Sequence, residues 1–296
     1  MLAISFSIVI LLLIILSYMY FVHKERVTVD MIKKSVEPAE FDFAPATCPA
    51  ADNPLGQPGR EKILVDRISQ YSLFNALGLS HPKIYAIQNN VLNASNLLDN
   101  FVVKSMTNFG KNNVLVYQQD TELLTGDNLS KKELAERIVT VQNPFVEELL
   151  PVEYELGFVV YWGRVILATV FSRGGIVSSV TNYGLILRNG EYIQPVTGGN
   201  KNIDLYWCEI IWPELVKEVE ELAEITQVAR LTVDVVFTDE KRGGNLYYLG
   251  FGDSALEVSN SVSKTLDEIY ETGKRLGASC CQVSSGLRGP TPDTAR

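Results

Sequence analysis

The run Tyr154-Glu-Leu-Gly-Phe-Val-Val-Tyr161, the pair Trp162-Gly163 and the run Arg164-Val-Ile-Leu-Ala-Thr-Val-Phe-Ser172 decide the fold class. Two stretches rich in β-branched and aromatic residues around a glycine-containing turn read as a β-hairpin. Further along, Leu231-Thr-Val-Asp-Val-Val-Phe237 and Leu246-Tyr-Tyr-Leu249 flank Asp239-Glu-Lys-Arg-Gly-Gly244 and predict a second hairpin. Between the two, Trp212-Pro213 predicts a helix with proline at its first position, running through Leu222. Upstream, Lys83 to Gln88, Phe101 to Lys104, Val114 to Gln118 and Phe145 to Leu149 are further strand candidates. Ile63, Leu64, Ile68, Tyr71 and Leu77 approach helical spacing, with Gly78 as a C-terminal stop. Ser130-Lys-Lys-Glu133 is a capping box that opens a helix through Ile138. A last helix is predicted from about Ser261 to Leu276, ended by Gly277. The helices do not alternate strictly with the strands, so the class is α+β and not a doubly wound sheet.

Outside this region the chain changes character. Met1 to Val22 holds no Asp, Glu, Lys or Arg and is dense in Ile and Leu. It just meets the ~20 apolar residues that a transmembrane helix needs. A cleaved signal peptide would want basic residues in front and small residues at the end; here Tyr18, Tyr20 and Phe21 close the run, as an interfacial aromatic belt would. Lys24, Arg26, Lys33 and Lys34 follow the span, which predicts a single-pass membrane protein with its bulk in the cytoplasm. Two N-glycosylation sequons, at Asn93 and Asn128, stand against that orientation. The expected organisation is an anchor over 1–22, a juxtamembrane linker over 23–60, one domain over 61–277 and a disordered tail over 278–296.

Composition narrows the chemistry. A net charge of −9 argues against a general nucleic-acid binder. The four cysteines show no zinc-type spacing, and His23 and His81 are the only histidines. Neither has a ligand partner, which argues against a histidine-built metal site and a Ser-His-Asp triad. Lys104 stands out, a charge ending a β-branched run, suited to a phosphate as a point charge. The polar loop that follows, through Asn113, could turn backbone N–H groups toward an anion; its glycine spacing is not that of a Walker loop. An ordinary strand end with a polar turn is the plain alternative.

Taken in order, Asp66-Arg67 on its helix, Phe-Val-Val-Lys104 with its loop, Phe-Val-Glu-Glu-Leu149, Glu155 to Arg164, and Arg230-Leu-Thr-Val-Asp234 resemble the ATP-grasp superfamily. Within it the chain looks most like the teichuronopeptide-biosynthesis type, over about Lys62 to Ser261. The resemblance implies a two-lobed ATP-grasp-like domain behind the transmembrane helix, with ATP and Mg2+ as cofactors. On that resemblance, Lys104 would hold the α- and β-phosphates, and Thr107, Asn108 and Gly110 would lie in the flap over them. Glu147, Glu148 and Leu149 would form the hinge beside the adenine, and Glu155 would lie near the ribose. Arg173 would contact phosphate or substrate as the candidate catalytic residue. Asp234 would be the first magnesium ligand. The glutamates also read as solvated strand residues and Arg173 as a loop charge.

The chemistry so implied activates a carboxylate as an acyl phosphate for attack by an amine, on a glycan or peptide conjugate. One departure stands out. With a turn centred near Arg242, Asp234 should face Leu249 or Gly250, where the family's second carboxylate is missing. Asp253 or Glu257 could take its place if a bulge at Gly250 or Gly252 re-registers the strand. The alternative is a degenerate module that binds nucleotide or a partner without catalysis.

Overall fold

The computed structural model describes residues 2–36, 64–107, 114–172, 182–194, 206–226, 228–238, 244–252 and 258–275. Two six-stranded sheets, antiparallel throughout, make up its body, so the α+β class holds. The first sheet has the order β1-β6-β2-β3-β4-β5. Its strands are β1 (Ile84–Ile87), β2 (Asn100–Ser105), β3 (Val114–Gln118), β4 (Thr121–Glu122), β5 (Asp127–Asn128) and β6 (Pro144–Glu147). The second has the order β10-β9-β8-β7-β11-β12. It comprises β7 (Val152–Tyr161), β8 (Arg164–Ser172), β9 (Asn182–Leu187), β10 (Tyr192–Ile193), β11 (Arg230–Thr238) and β12 (Leu246–Gly252). Among the described residues the α-helices are α1 (Leu2–Ser35), α2 (Arg67–Leu77), α3 (Val91–Leu97), α4 (Lys131–Ile138), α5 (Tyr206–Thr226) and α6 (Asn260–Arg275).

Both predicted hairpins form. β7 and β8 meet at Trp162-Gly163, where both residues take positive φ, and Trp162 donates its backbone N–H to Ala229. α2 starts at Asp66, whose carboxylate accepts from the Ile68 N–H, and ends on Gly78 in the left-handed region. A left-handed C-cap without a Cβ satisfies the last carbonyls, here those of Asn75 and Phe74. The Ser130–Glu133 capping box is present in both directions. α5 differs from expectation: it begins at Tyr206 and carries Pro213 in its interior. A mid-helix proline forfeits one hydrogen bond, and here the burial of Trp212, Leu215, Val216, Val219 and Leu222 against the second sheet outweighs that loss.

The second sheet is covered on both faces. One face carries Leu156, Phe158, Val160, Leu231, Val233 and Val235 and packs on α5 and α2. Glu220 ties α5 to this sheet, accepting from Arg164 Nη1 (3.0 Å), Val165 N (3.0 Å) and Arg188 Nε (2.8 Å). The opposite face carries Val159, Tyr161, Leu167, Leu185 and Leu187 and packs on α1 and α6. β9 and β10 fit closely because Gly184 has no side chain: a Cβ there would lie 2.1 Å from the Tyr192 ring.

Two observations bear on the N-terminal expectation. Among the described residues, no helix is long and apolar enough to cross a membrane. The exposed apolar side chains described run from Val9 to Val22, and the same helix continues without a break into Lys24, Glu25 and Arg26. The first part of the expected linker is therefore helix, reaching Ser35 and packing on the domain. The rest of that linker, and the expected tail, lie outside the described residues.

Candidate functional site

Lys104 sits at the junction of the two sheets. In the register of β2 and β6, Val102 faces Glu147, which puts Lys104 two residues along the same face and diagonal to the carboxylate. The two form an ion pair. Their side chains are 13% and 2% exposed, so the pair is largely removed from water. The second carboxylate oxygen accepts from the Tyr71 hydroxyl of α2 at 2.7 Å. Tyr71 in turn stacks on His81 at 4.5 Å and meets the edge of Phe145.

Arg67, one turn before Tyr71, spans the two sheets. Its backbone N–H donates to Met106, which follows β2, and its guanidinium donates to Leu249 of β12 at 3.1 Å. Gln70, from the next position on that face, also reaches β12, donating to the Phe251 carbonyl (2.7 Å) and accepting from the Phe251 N–H (3.2 Å). The outer edge of β12 would otherwise present unpaired backbone groups. α2 closes it with side-chain amide and guanidinium in place of a strand.

The charges interact across the junction. Burial holds the Lys104 ammonium below the usual lysine range, the Glu147 carboxylate opposes this, and the Arg67 guanidinium reinforces it; Glu155, on β7, also acts to hold the proton on. Burial and the Glu147 carboxylate push the Tyr71 hydroxyl well above the ordinary tyrosine value. Tyr248 is raised in the same way by burial and its hydrogen bond to Glu218, and Tyr117 is raised to about 12 by burial and Asp120.

These shifts set the sign of the alkaline response. A tyrosine that keeps its proton in the fold beyond 10.0, where the unfolded chain loses it, makes stability fall as pH rises above that value. Lys104 acts oppositely, because below 10.5 the unfolded chain binds the proton more readily than the fold. Stability should therefore rise gently toward pH 10 from the lysine and fall beyond it from the tyrosines. In an absorbance titration, tyrosinate from these three should appear only with the loss of circular dichroism. Their ionisation in the folded state, with the other tyrosines, would contradict the burial.

The remaining sequence candidates are placed as follows. Glu148 accepts from the Lys83 N–H at 3.3 Å and donates its own N–H to the Lys83 carbonyl, extending the β1–β6 pairing at the surface. Leu149 is half-buried between β6 and β7, and Thr107 is exposed after β2. Glu155 faces Val236 of β11, and Asp234 faces Gly157 on one side and Gly250 on the other. Glu155 and Asp234 are thus diagonal neighbours on one face of the second sheet. A bulge leaves Leu249 between Gly250 and Tyr248 without a cross-strand partner. Asn108, Gly110, Arg173, Asp253 and Glu257 lie outside the described residues.

Gly250 faces a crowded edge. A Cβ there would stand 2.9 Å from Gln70 Oε1 and 3.3 Å from Arg67 Nη1, so a side chain would push aside the Gln70 amide and crowd the Arg67 guanidinium. Among the described residues, no group of three His, Cys, Asp or Glu could hold a metal ion. Magnesium wants near-octahedral oxygen ligation, and of its three expected ligands only Asp234 lies among the described residues, where it faces Gly157 and Gly250.

Solved structures similar to this chain include ATP-grasp enzymes. The ATP-grasp ligase PsnB complexed with a minimal precursor matches at 15% identity and a TM-score of 0.43, over 72% of this chain and 62% of its own. The macrocyclase MdnC bound with precursor peptide MdnA, from Microcystis aeruginosa MRC, matches at 13% and 0.43, over 70% and 60%. The ADP complex of purK, N5-carboxyaminoimidazole ribonucleotide synthetase, matches at 17% and 0.43, over 74% and 52%. This chain spans about three fifths of the length of the first of these structures. At these identities and scores the likeness says nothing about what this chain binds. No protein-family model and no curated protein matches the sequence.

Two residues at the junction were given no site role by the sequence: Arg67, which enters there only as part of the motif order, and Gln70. Their neighbours in the site are strands far along the chain, and only the Asp66 N-cap before them is a local mark.

Proposed function

We propose that this chain is an ATP-grasp-type module that binds a nucleotide between its two sheets without requiring a divalent ion, and that residues 1–22 attach it to a membrane. The observation that carries the reading is Lys104: a lysine on β2, nearly buried, facing a site shared by Arg67, Glu147 and Glu155. A buried lysine is kept there at a cost in desolvation, and phosphate is a chemistry that such a point charge serves. Arg67 beside it adds a second cation. The glycine opposite Asp234 favours binding over magnesium-dependent catalysis.

The exposed apolar surface from Val9 to Val22, on every side of α1, supports membrane attachment. A helix that is apolar all round is buried in protein or in lipid. Lys24, Arg26, Lys33 and Lys34 support the cytoplasmic side for the domain.

A second reading is favoured by Asp234 and Glu155 sharing a sheet face. In it the module is a carboxylate–amine ligase acting on a glycan or peptide conjugate: ATP gives its γ-phosphoryl to a carboxylate oxygen, leaving ADP, and an amine displaces phosphate from the acyl carbon. Calorimetric titration of the full chain in mild detergent, with ATP and with or without magnesium, separates the two. Equal binding in both conditions, without phosphate release, is the expected result. Binding only with magnesium, with phosphate release on adding carboxylate and amine, would replace it by the ligase. Absence of binding in either condition would overturn both.

A further inference from the structure

α1 is one uninterrupted helix of 34 residues, with neither glycine nor proline along it. From Val9 to Val22 it is exposed and apolar; its C-terminal part is built into the domain. Ile32 is fully buried and Thr28 nearly so. Ile32 shares a core with Val262 and Leu266 of α6 and with Val159, Tyr161 and Leu167 of the second sheet. Polar contacts fix the register along the helix pair: Ser261 donates to Glu25, and Lys33 donates to Glu268 at 2.9 Å. Beneath them Trp162 stacks on Tyr270 at 5.0 Å and donates its indole N–H to the Tyr270 carbonyl.

The face of the second sheet that receives α1 and α6 is the face that carries Glu155 and Asp234. Val159, in the α1 cluster, is two residues along β7 from Gly157, which pairs with Asp234. A path from Val22 down α1 to Ile32, across to the sheet and along β7 to Gly157 totals about 35 Å. No straight line between the ends can be longer.

From this contact we infer that the apolar stalk and the domain form one rigid body, which holds the Asp234 face at a fixed height of no more than about 35 Å above the lipid surface. Whatever binds there does so at the membrane, and a ligand displayed on the bilayer lies within reach. The inference rests on the membrane attachment proposed above, and goes beyond it by replacing a flexible tether with a strut.

The test uses the full chain in phosphatidylcholine nanodiscs, its four native cysteines changed to serine, with a fluorophore on Glu153→Cys and acceptor dye on the headgroups. Time-resolved energy transfer should give one narrow distance distribution. Inserting a Gly-Ser-Gly-Ser segment after His23 leaves the docked residues unaltered and should broaden that distribution, with no change in ATP affinity. A distribution in the unmodified chain as broad as in the insertion variant would overturn the strut. Failure of the chain to float with vesicles of the same lipid would instead overturn the attachment itself, and the strut with it. Ile32→Asp offers a second route, expected to broaden the distances as the insertion does.

Discussion

Glu147→Leu is expected to destabilise the protein by about 3–5 kcal/mol, the range for breaking a buried pair from one side. The lysine left behind is 13% exposed, has Arg67 as a neighbouring like charge, and keeps the weaker influence of Glu155 in place of its direct partner. Tyr71 also loses the acceptor for its hydroxyl. An apolar triple variant, Tyr71→Phe, Lys104→Met and Glu147→Leu, removes every polar partner together and should return to within about 2 kcal/mol of the parent. Urea titrations of the three chains in the same detergent decide this. A Glu147→Leu loss below about 1 kcal/mol, the level of a surface pair, would mean the pair is solvated.

Glu220→Ala is the second large effect, expected to cost about 2–4 kcal/mol. Its carboxylate takes a two-pronged contact from Arg188 (2.8 and 3.2 Å) and single bonds from Arg164 and the buried Val165 N–H. Bidentate arginine contacts are the stronger charge-assisted bonds. Both arginines remain about a third exposed, so water takes up part of what they lose. Glu220→Gln keeps one acceptor for Val165 and should lose roughly half as much. Equal losses for the two variants would mean that shape, and not charge, holds α5 to β8 and β9.

The sequence was most legible where the signal is local. Trp162-Gly163 between two β-branched runs, the Ser130–Glu133 box and Gly78 after Leu77 each act within a few residues, and each appears where expected. Counting from the turn near Arg242 also places Gly250 opposite Asp234. Pro213 misled because its local preference for a first turn lost to long-range burial of the α5 stripe. β9 and β10, which the pattern did not suggest, depend on Gly184 yielding room to Tyr192.

The site was legible in its residues and not in their roles. Glu147 and Glu148 look equivalent as a pair, yet strand alternation turns one to a buried lysine and leaves the other half-exposed at the edge. Arg67 and Gln70 reach β12 across the chain, and no spacing rule announces such a contact. The continuation of α1 onto α6 was hidden for a similar reason: the charges after Val22 read as the end of a span, whereas Ile32 and Thr28 among them are buried.

The most direct test of the central claim is ATP titration of the apolar triple variant, once the urea midpoint has shown it folded. The account predicts that binding seen in the parent, with or without magnesium, falls at least tenfold, because Lys104 no longer supplies the phosphate charge. Unchanged affinity in a folded chain without Lys104 would contradict it, leaving the buried lysine as a structural pair and the nucleotide, if bound, elsewhere.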